Sequence, residues 1–254
     1  AYTATDKYAV FEIPYFLTPM TSPTILALGD EDFESGIPLG FNFEYFDETY
    51  SEIFISSNGF IGFGAGSTSY DVQHIPNTSN PDNIIALAWS DLDPTAGGTI
   101  SYELQGVAPE RKFIVSYKNV FHYLSDATIS GQIILYENGN IIDIVNTLIE
   151  SDGGVVTQGI ENLNGTVAYV GEEDYNKDVF TITTESWRYY YTPCDAVVTD
   201  TITFIAAPEV SIADSSACVG ATINLDAGEG AAFYVWSTGS DAQSIDGTSS
   251  GTSS

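Results

Sequence analysis

Three groups of closely spaced acidic residues are the part of the sequence best suited to chemistry. Ca²⁺ takes about six to eight oxygen ligands, which carboxylates and carbonyls in loops supply. Asp91-Leu92-Asp93 follows the apolar run Ile84–Trp89, and alternate residues of an extended chain share one side. We predict Ca²⁺ binding by at least one group, with a solvated acidic surface as the alternative. The predicted ligands are Asp30, Asp32, Asp91, Asp93, Asp174, Asn176 and Asp178.

Aromatic residues suggest a second kind of site, because an aromatic face stacks on the apolar face of a sugar ring. The candidates for such a glycan-binding platform are Trp187, Tyr189, Tyr123 and Tyr70. Every second residue of a half-buried strand faces the core, so burial is the alternative for each of them.

The sequence lacks the residue patterns of a catalytic site. A hydrolytic mechanism needs a nucleophile within reach of a base, and His74 and His122 are the only histidines. Neither histidine stands in a metalloprotease motif. The single Gly-x-Ser-x-Gly match, residues 247–251, lies in a Gly/Ser/Thr-rich tract and not between a strand and a helix. We therefore expect no enzymatic activity.

The charge balance excludes several classes of partner. The sequence contains six Lys and Arg residues and 35 Asp and Glu residues, which gives a formal net charge of −29. Nucleic-acid binding needs clustered cations that displace counterions from phosphates, and an anionic membrane repels an acidic surface. The sequence has no apolar run long enough to span a bilayer. We expect neither a nucleic-acid partner nor insertion into a membrane.

The elements that must position these residues are β-strands. Apolar and polar residues alternate, and Asn-Gly pairs at Asn58, Asn138 and Asn164 mark hairpin turns between apolar runs. No segment has a helical period with caps. The pattern predicts an all-β protein, an antiparallel, jelly-roll-like β-sandwich. The alternating runs are 8–16, 41–46, 53–55, 60–63, 112–117 and 132–136.

The pattern of long alternating runs gives way to short strands near the end of the sequence. Residues 206–208, Ala-Ala-Pro, read as a linker, and the short strands after it are too few to bury a core of their own. We predict a sandwich domain at 1–207, the first part of an immunoglobulin-like repeat at 208–246, and a flexible tail at 247–254. We expect the parent protein to be longer.

Two cysteines, Cys194 and Cys218, are too few for a disulfide scaffold and lack metal-site spacing. Their separation permits a bridge between them, which an exported location favours. Two free thiols are the alternative.

A series of motifs between residues 28 and 193, about two-thirds of the chain, carries a resemblance. It is similar to a β-sandwich module of large exported proteins, many from Bacteroidota, and resembles the nidogen-like extracellular domain in layout. This resemblance implies an extracellular, non-catalytic module. The motifs are residues 29–32, 37–43, 55–61, 75–77, 88–94, 108–113 and 187–189.

Residues 208–240 resemble the immunoglobulin-like or polycystic-kidney-disease-type repeats of gliding-motility adhesins. That resemblance implies type IX secretion, a cell-surface location and further domains in the same polypeptide. It also implies that Cys218 lacks the partner it has near the end of a complete repeat. The expected function is adhesion to a glycan or another surface. A filament subunit or spacer that self-assembles through its sheet edges, and an accessory module of a secreted hydrolase, are the alternatives.

Overall fold

The computed structural model describes residues 7–192, 222–226 and 242–247. The chain divides into two compact units, Ala1–Val197 and Val198–Ser254. Cys194, Cys218 and the linker at 206–208 lie outside the described residues, so the disulfide and the domain boundary stay predictions. Among the described residues, no helix is long and apolar enough to cross a membrane.

The described part of the first unit contains fifteen strands, two short 3-10 helices (Asn138–Asn140 and Glu173–Tyr175) and no α-helix. The strands are β1 Tyr8–Glu12, β2 Thr24–Leu26, β3 Phe33–Tyr45, β4 Glu48–Ser56, β5 Phe60–Gly62, β6 Ile84–Trp89, β7 Leu92–Asp93, β8 Thr99–Gln105, β9 Lys112–His122, β10 Thr128–Tyr136, β11 Ile142–Ile149, β12 Val156–Glu161, β13 Ala168–Tyr169, β14 Asn176–Asp178 and β15 Ile182–Tyr191.

These strands form two antiparallel sheets. The first has the order β1-β15-β11-β10-β9-β8-β2, and β7 pairs with β9. The second has the order β13-β12-β6-β5-β4-β3, and β14 pairs with β12. Seven of the thirteen strand pairs join strands that are consecutive in the chain, as is common in antiparallel sheets.

The three Asn-Gly pairs lie in hairpin connections, as predicted, two of them in turns and the second in the 3-10 helix Asn138–Asn140. The first is between β4 and β5, the second between β10 and β11, and the third between β12 and β13. Gly59 has a φ of +82°, and a Cβ at this residue would lie 2.1 Å from the carbonyl oxygen of Ala88. The turn therefore needs glycine for its backbone conformation and for its close approach to β6.

The core lies between the sheets. In the second half of β3, from Ile37 to Tyr45, every other residue is buried, which is the period of a strand with one face on a core. These side chains belong to the same cluster as Phe113 and Tyr117 of β9 in the other sheet. The Tyr117 hydroxyl also donates to the Ser56 carbonyl across the core, at 2.7 Å. The predicted all-β antiparallel sandwich is confirmed.

In the second unit, the structure describes one antiparallel pair of strands, β16 (Ile223–Asp226) and β17 (Ser244–Gly247). Most of the residues assigned to the repeat and the tail lie outside the described part of the chain. The immunoglobulin-like repeat stays a prediction.

Candidate functional site

Asn58 joins three segments at one end of the sandwich. Its Oδ1 accepts a hydrogen bond from the backbone N–H of Leu92 at 2.8 Å. Its Nδ2 donates to Glu31 Oε2 and to the carbonyl of Thr68, each at 3.2 Å. Because Asn58 is fully buried, this network fixes the β4–β5 turn against the segments before β3 and after β6.

Three carboxylates converge beside Asn58. One carboxylate oxygen from each of Asp30, Glu31 and Asp91 lies within 4.8 Å of the others. A Ca²⁺ ion holds its oxygens at about 2.3–2.6 Å, so opposite ligands of one ion are about 5 Å apart. The three oxygens are therefore spaced as ligands of a single ion would be. This is the one group of three or more potential metal ligands within 7–192, 222–226 and 242–247.

The electrostatics of this cluster favour a bound cation. Burial raises the pKa of Asp91, and the carboxylates of Asp30 and Asp152 raise it further. Burial also raises the pKa of Glu31, followed by the charge of Asp91, although the bond from Asn58 opposes the shift. Asp91 Oδ1 is buried without a hydrogen-bond partner. Since no salt bridge of the described residues includes this cluster, its negative charge is uncompensated.

Asp30, Asp32, Asp91 and Asp93 were all predicted as ligands, but only two of them belong to the cluster. Asp30 and Asp91 lie in the cluster. Asp32 instead accepts the backbone N–H groups of Gly29 and Phe33, at 3.0 and 2.8 Å. Asp93 Oδ1 accepts the backbone N–H and the hydroxyl of Thr95. Both are turn-forming carboxylates.

Glu31 was not among the predicted ligands. Strict alternation would place Asp30 and Asp32 on one side of an extended chain and Glu31 on the other. Glu31 has a φ of +51°, so the chain is not extended there and alternation does not apply. A Gly-Asp-Glu-Asp segment before a strand is a turn signal, and it is the only clue that the sequence held.

The third predicted group, Asp174, Asn176 and Asp178, does not form such a cluster. Asn176 uses its side chain to bond both the N–H and the carbonyl of Ile75, at 2.8 and 2.5 Å. Asp178 accepts the N–H of Val179, and Asp174 is exposed in a 3-10 helix. Asn176 therefore anchors the loop that contains Ile75.

A pocket of about 260 Å³ lies against Asp91, and we call it the His122 pocket. His122 is 1% exposed, and its Nδ1 lies 3.7 Å from Asp152 Oδ2. The pairing of Leu92 with His122 between β7 and β9 brings Asp91 to this pocket. Its lining residues are Tyr70, Asp71, Val72, Ser90, Asp91, His122, Asp152, Gly154, Val155 and Lys177.

The four aromatic candidates divide into two pairs. Tyr70 and Tyr123 are 54% and 44% exposed; Tyr70 lines the His122 pocket, and the Tyr123 N–H donates to the carbonyl of Asp91. Trp187 and Tyr189 are 8% and 0% exposed and belong to the core between the sheets. Their assignment to an exposed platform does not fit this burial, because their side of β15 faces the opposite sheet.

Ser90, His122 and Asp152 line one pocket and have the residue types of a hydrolytic triad. The contacts of these three residues differ from those of a hydrolytic triad. The Ser90 hydroxyl donates to the carbonyl of Ala88 at 3.0 Å, and His122 Nε2 has no hydrogen-bond partner. The hydrogen bond through which a base takes the proton of a serine nucleophile is therefore not formed.

The fold and this site together define an all-β sandwich module with an acidic cluster at one end. The family model described as NIDO related matches residues 7–206, and the chain belongs to this family. No curated protein and no solved structure matches the chain.

Proposed function

We propose that this chain is a non-catalytic adhesin module that binds a glycan or another surface ligand with the help of Ca²⁺. The binding surface is the end of the sandwich that carries Asp30, Glu31 and Asp91. The observation that carries the proposal is the convergence of three carboxylate oxygens within 4.8 Å that take part in no salt bridge among the described residues. Such a group is stabilised by an ion that takes oxygen ligands.

Two exposed tyrosines support a ligand at this end. Tyr123 follows His122 directly and is bonded to the Asp91 backbone, and Tyr70 lines the pocket beside Asp91. Exposed ring faces next to a bound ion give a sugar both a stacking surface and a partner for its hydroxyl groups. Each tyrosine keeps about half of its surface available to a ligand.

The cellular context is part of the same proposal. Membership of the NIDO-related family, together with the resemblance of residues 208–240 to adhesin repeats, supports an exported protein with further domains. We place it at the cell surface, in a gliding or adhesion protein of the type IX secretion route in Bacteroidota. The net charge of −29 suits a solvated extracellular surface.

A glycan array tests this proposal. We expect the calcium-loaded protein to bind a defined set of glycans and the chelated protein to lose that binding. Glu31→Gln should show the same loss in the presence of Ca²⁺. Glu34→Gln, an exposed residue of β3 with the same change of charge, should bind as the unmodified protein does. Absence of bound glycans, or binding by the Glu31→Gln variant at full strength, would count against it.

Self-assembly is the second candidate, and three exposed aromatic residues favour it. Phe11 and Tyr190 are 49% and 43% exposed on neighbouring strands of the first sheet, and Phe16 is 67% exposed shortly after β1. Exposed apolar groups of this kind support protein–protein contact. Sedimentation of the unmodified protein and of Phe16→Ser over a range of concentrations separates the two functions. Association that Phe16→Ser abolishes would support assembly.

A further inference from the structure

Most of the polar side chains that line the His122 pocket are hydrogen-bond acceptors. Asp71, Asp91 and Asp152 contribute carboxylates, and Asp91 Oδ1 is buried without a partner. The Ser90 hydroxyl donates a hydrogen bond to the Ala88 carbonyl, so it can only accept hydrogen bonds from the pocket.

His122 adds a further acceptor. Burial lowers its pKa, so the ring is neutral at pH 7. The backbone carbonyl of Glu150 and the carboxylate of Asp152 lie beside the ring, and Nδ1 faces Asp152. A neutral imidazole beside two acceptors carries its proton on that side, which leaves Nε2 with a lone pair. Nε2 is buried and has no partner, so it needs a donor.

The lining also contains three carboxylates but only one basic side chain, the exposed Lys177. A ligand that satisfies this pocket must bring a positive charge together with several N–H donors. The guanidinium group supplies five donors in one plane and stacks on aromatic faces. Tyr70 lines the pocket and is 54% exposed.

The volume decides what kind of ligand fits. Sites for small-molecule ligands are typically about 300–1,000 Å³, and this pocket is about 260 Å³. It therefore suits one long side chain better than an oligosaccharide or a nucleotide.

We propose that the His122 pocket binds the guanidinium group of an arginine side chain presented by a protein ligand. Asp91, Asp152 and His122 Nε2 accept its N–H groups, Asp71 adds negative charge at the rim, and Tyr70 covers one face of the group. This inference rests on the proposed function for the position of the binding surface, and it adds a protein ligand to the glycan considered there.

Binding of two isosteric amides to the full chain tests the proposal. N-acetyl-L-arginine amide and N-acetyl-L-citrulline amide have nearly the same shape, but only the first is charged. We expect NMR titration in chelator and low salt to show that the arginine amide shifts the signals of Tyr70 and His122. The citrulline amide should bind at least about tenfold more weakly, as the loss of a charge-assisted hydrogen bond predicts. Equal binding of the two amides would overturn the proposal.

Charge-neutral variants locate the site. Asp152→Asn keeps the oxygen that accepts the Gly154 N–H at 2.7 Å, so it removes charge without removing this turn bond. We expect it to weaken binding of the arginine amide about fivefold or more. Asp71→Asn, an exposed position, should weaken it less, and Tyr70→Phe should preserve it. Full binding by Asp152→Asn would overturn the assignment.

The same measurement keeps this inference apart from the calcium proposal. Asp30→Asn removes a ligand of the acidic cluster, and Asp30 does not line the pocket. It should leave the affinity for the arginine amide within about twofold, a change of under 0.5 kcal/mol. Arginine binding by a protein that takes no Ca²⁺ would support the pocket alone, and Ca²⁺ binding without discrimination between the amides would support the cluster alone.

Discussion

At the scale of single residues, the buried carboxyl groups differ in whether a cation accompanies them. Asp143 is held by Arg188 in a two-point contact, with nitrogen–oxygen distances of 2.7 and 2.8 Å. Glu161 is equally buried, and its Oε1 accepts the N–H of Asn77 at 2.6 Å. Since no basic side chain of the described residues forms a salt bridge with it, burial raises the pKa of Glu161 to about 7.

Glu161→Gln should stabilise the protein at alkaline pH. Because the pKa is higher in the folded state than in the unfolded state, the folded protein binds more protons between about pH 4.5 and 7. Stability from this group is therefore lost as the pH rises through that window. We expect the variant to match the unmodified protein at pH 5 and to exceed it by roughly 2 kcal/mol at pH 8 in urea unfolding.

The exposed Glu48 provides the matched control, and Glu48→Gln should change the unfolding free energy little at either pH. An equal effect of Glu161→Gln at pH 5 and pH 8 would show that the Glu161 carboxyl does not titrate near neutrality.

Arg188→Met should destabilise the protein by about 3 kcal/mol, because the Asp143 carboxylate is left buried with the Tyr136 hydroxyl but without its cationic partner. Methionine keeps an apolar stem, so the loss reports the guanidinium, which pairs with Asp143 and also lies over the Tyr136 ring, 5.6 Å from its centroid. Adding Asp143→Asn should recover part of the loss. Urea unfolding of the single and double variants measures the coupling. A cost below about 1 kcal/mol, the size of an exposed ion pair, would contradict this reading.

At the scale of elements, the turn between β4 and β5 positions the site. Gly59 accepts the N–H groups of Leu87 and Ala88, and its neighbour Asn58 bonds the segments that carry Glu31 and Asp91. The hairpin turn is therefore also the scaffold of the acidic cluster.

Gly59→Ala tests this turn. The new methyl group would meet the Ala88 carbonyl at 2.1 Å while the φ of +82° is also unfavourable. We expect a loss of about 3 kcal/mol in thermal or urea unfolding. Gly153→Ala is the control, since Gly153 has a φ of +92° but no atom within 4 Å of the added Cβ. It should lose only about 1 kcal/mol. Similar losses in both variants would mean that the close approach to β6 is unimportant.

Only part of the arrangement of these elements could be predicted from the sequence alone. Alternation and the Asn-Gly pairs predicted the sheets and three turns, because both are local properties of the chain. Alternation places Trp187 and Tyr189 on one face of β15, but only the opposite sheet decides that this face is the core. The burial of Trp187 and Tyr189 could therefore not be predicted from the sequence.

The site itself was predictable only in part. Asp30 and Asp91 were found from their position beside apolar runs. The pocket was not, since His122 reaches Asp91 through the pairing of β7 with β9, and Asp152 joins them from a third distant segment, the one that follows β11. Such pairing follows from the topology of the whole sheet and leaves no local pattern.

At the scale of the whole molecule, the excess of acidic residues sets the response to ions. Three of the six basic residues, Lys7, Arg111 and Arg188, already form salt bridges with single carboxylates. Most acidic groups are thus left to the solvent, where salt screens them beyond a Debye length of about 8 Å at physiological ionic strength. Screening by NaCl acts on all of these charges alike, whereas a bound Ca²⁺ ion depends on the geometry of Asp30, Glu31 and Asp91.

Calorimetric titration of Ca²⁺ into the chelator-treated protein at physiological ionic strength measures this directly. We expect one saturable site in the unmodified protein and in Glu34→Gln, and its loss in Glu31→Gln. No heat of binding in the unmodified protein, or an unchanged isotherm in Glu31→Gln, would contradict it.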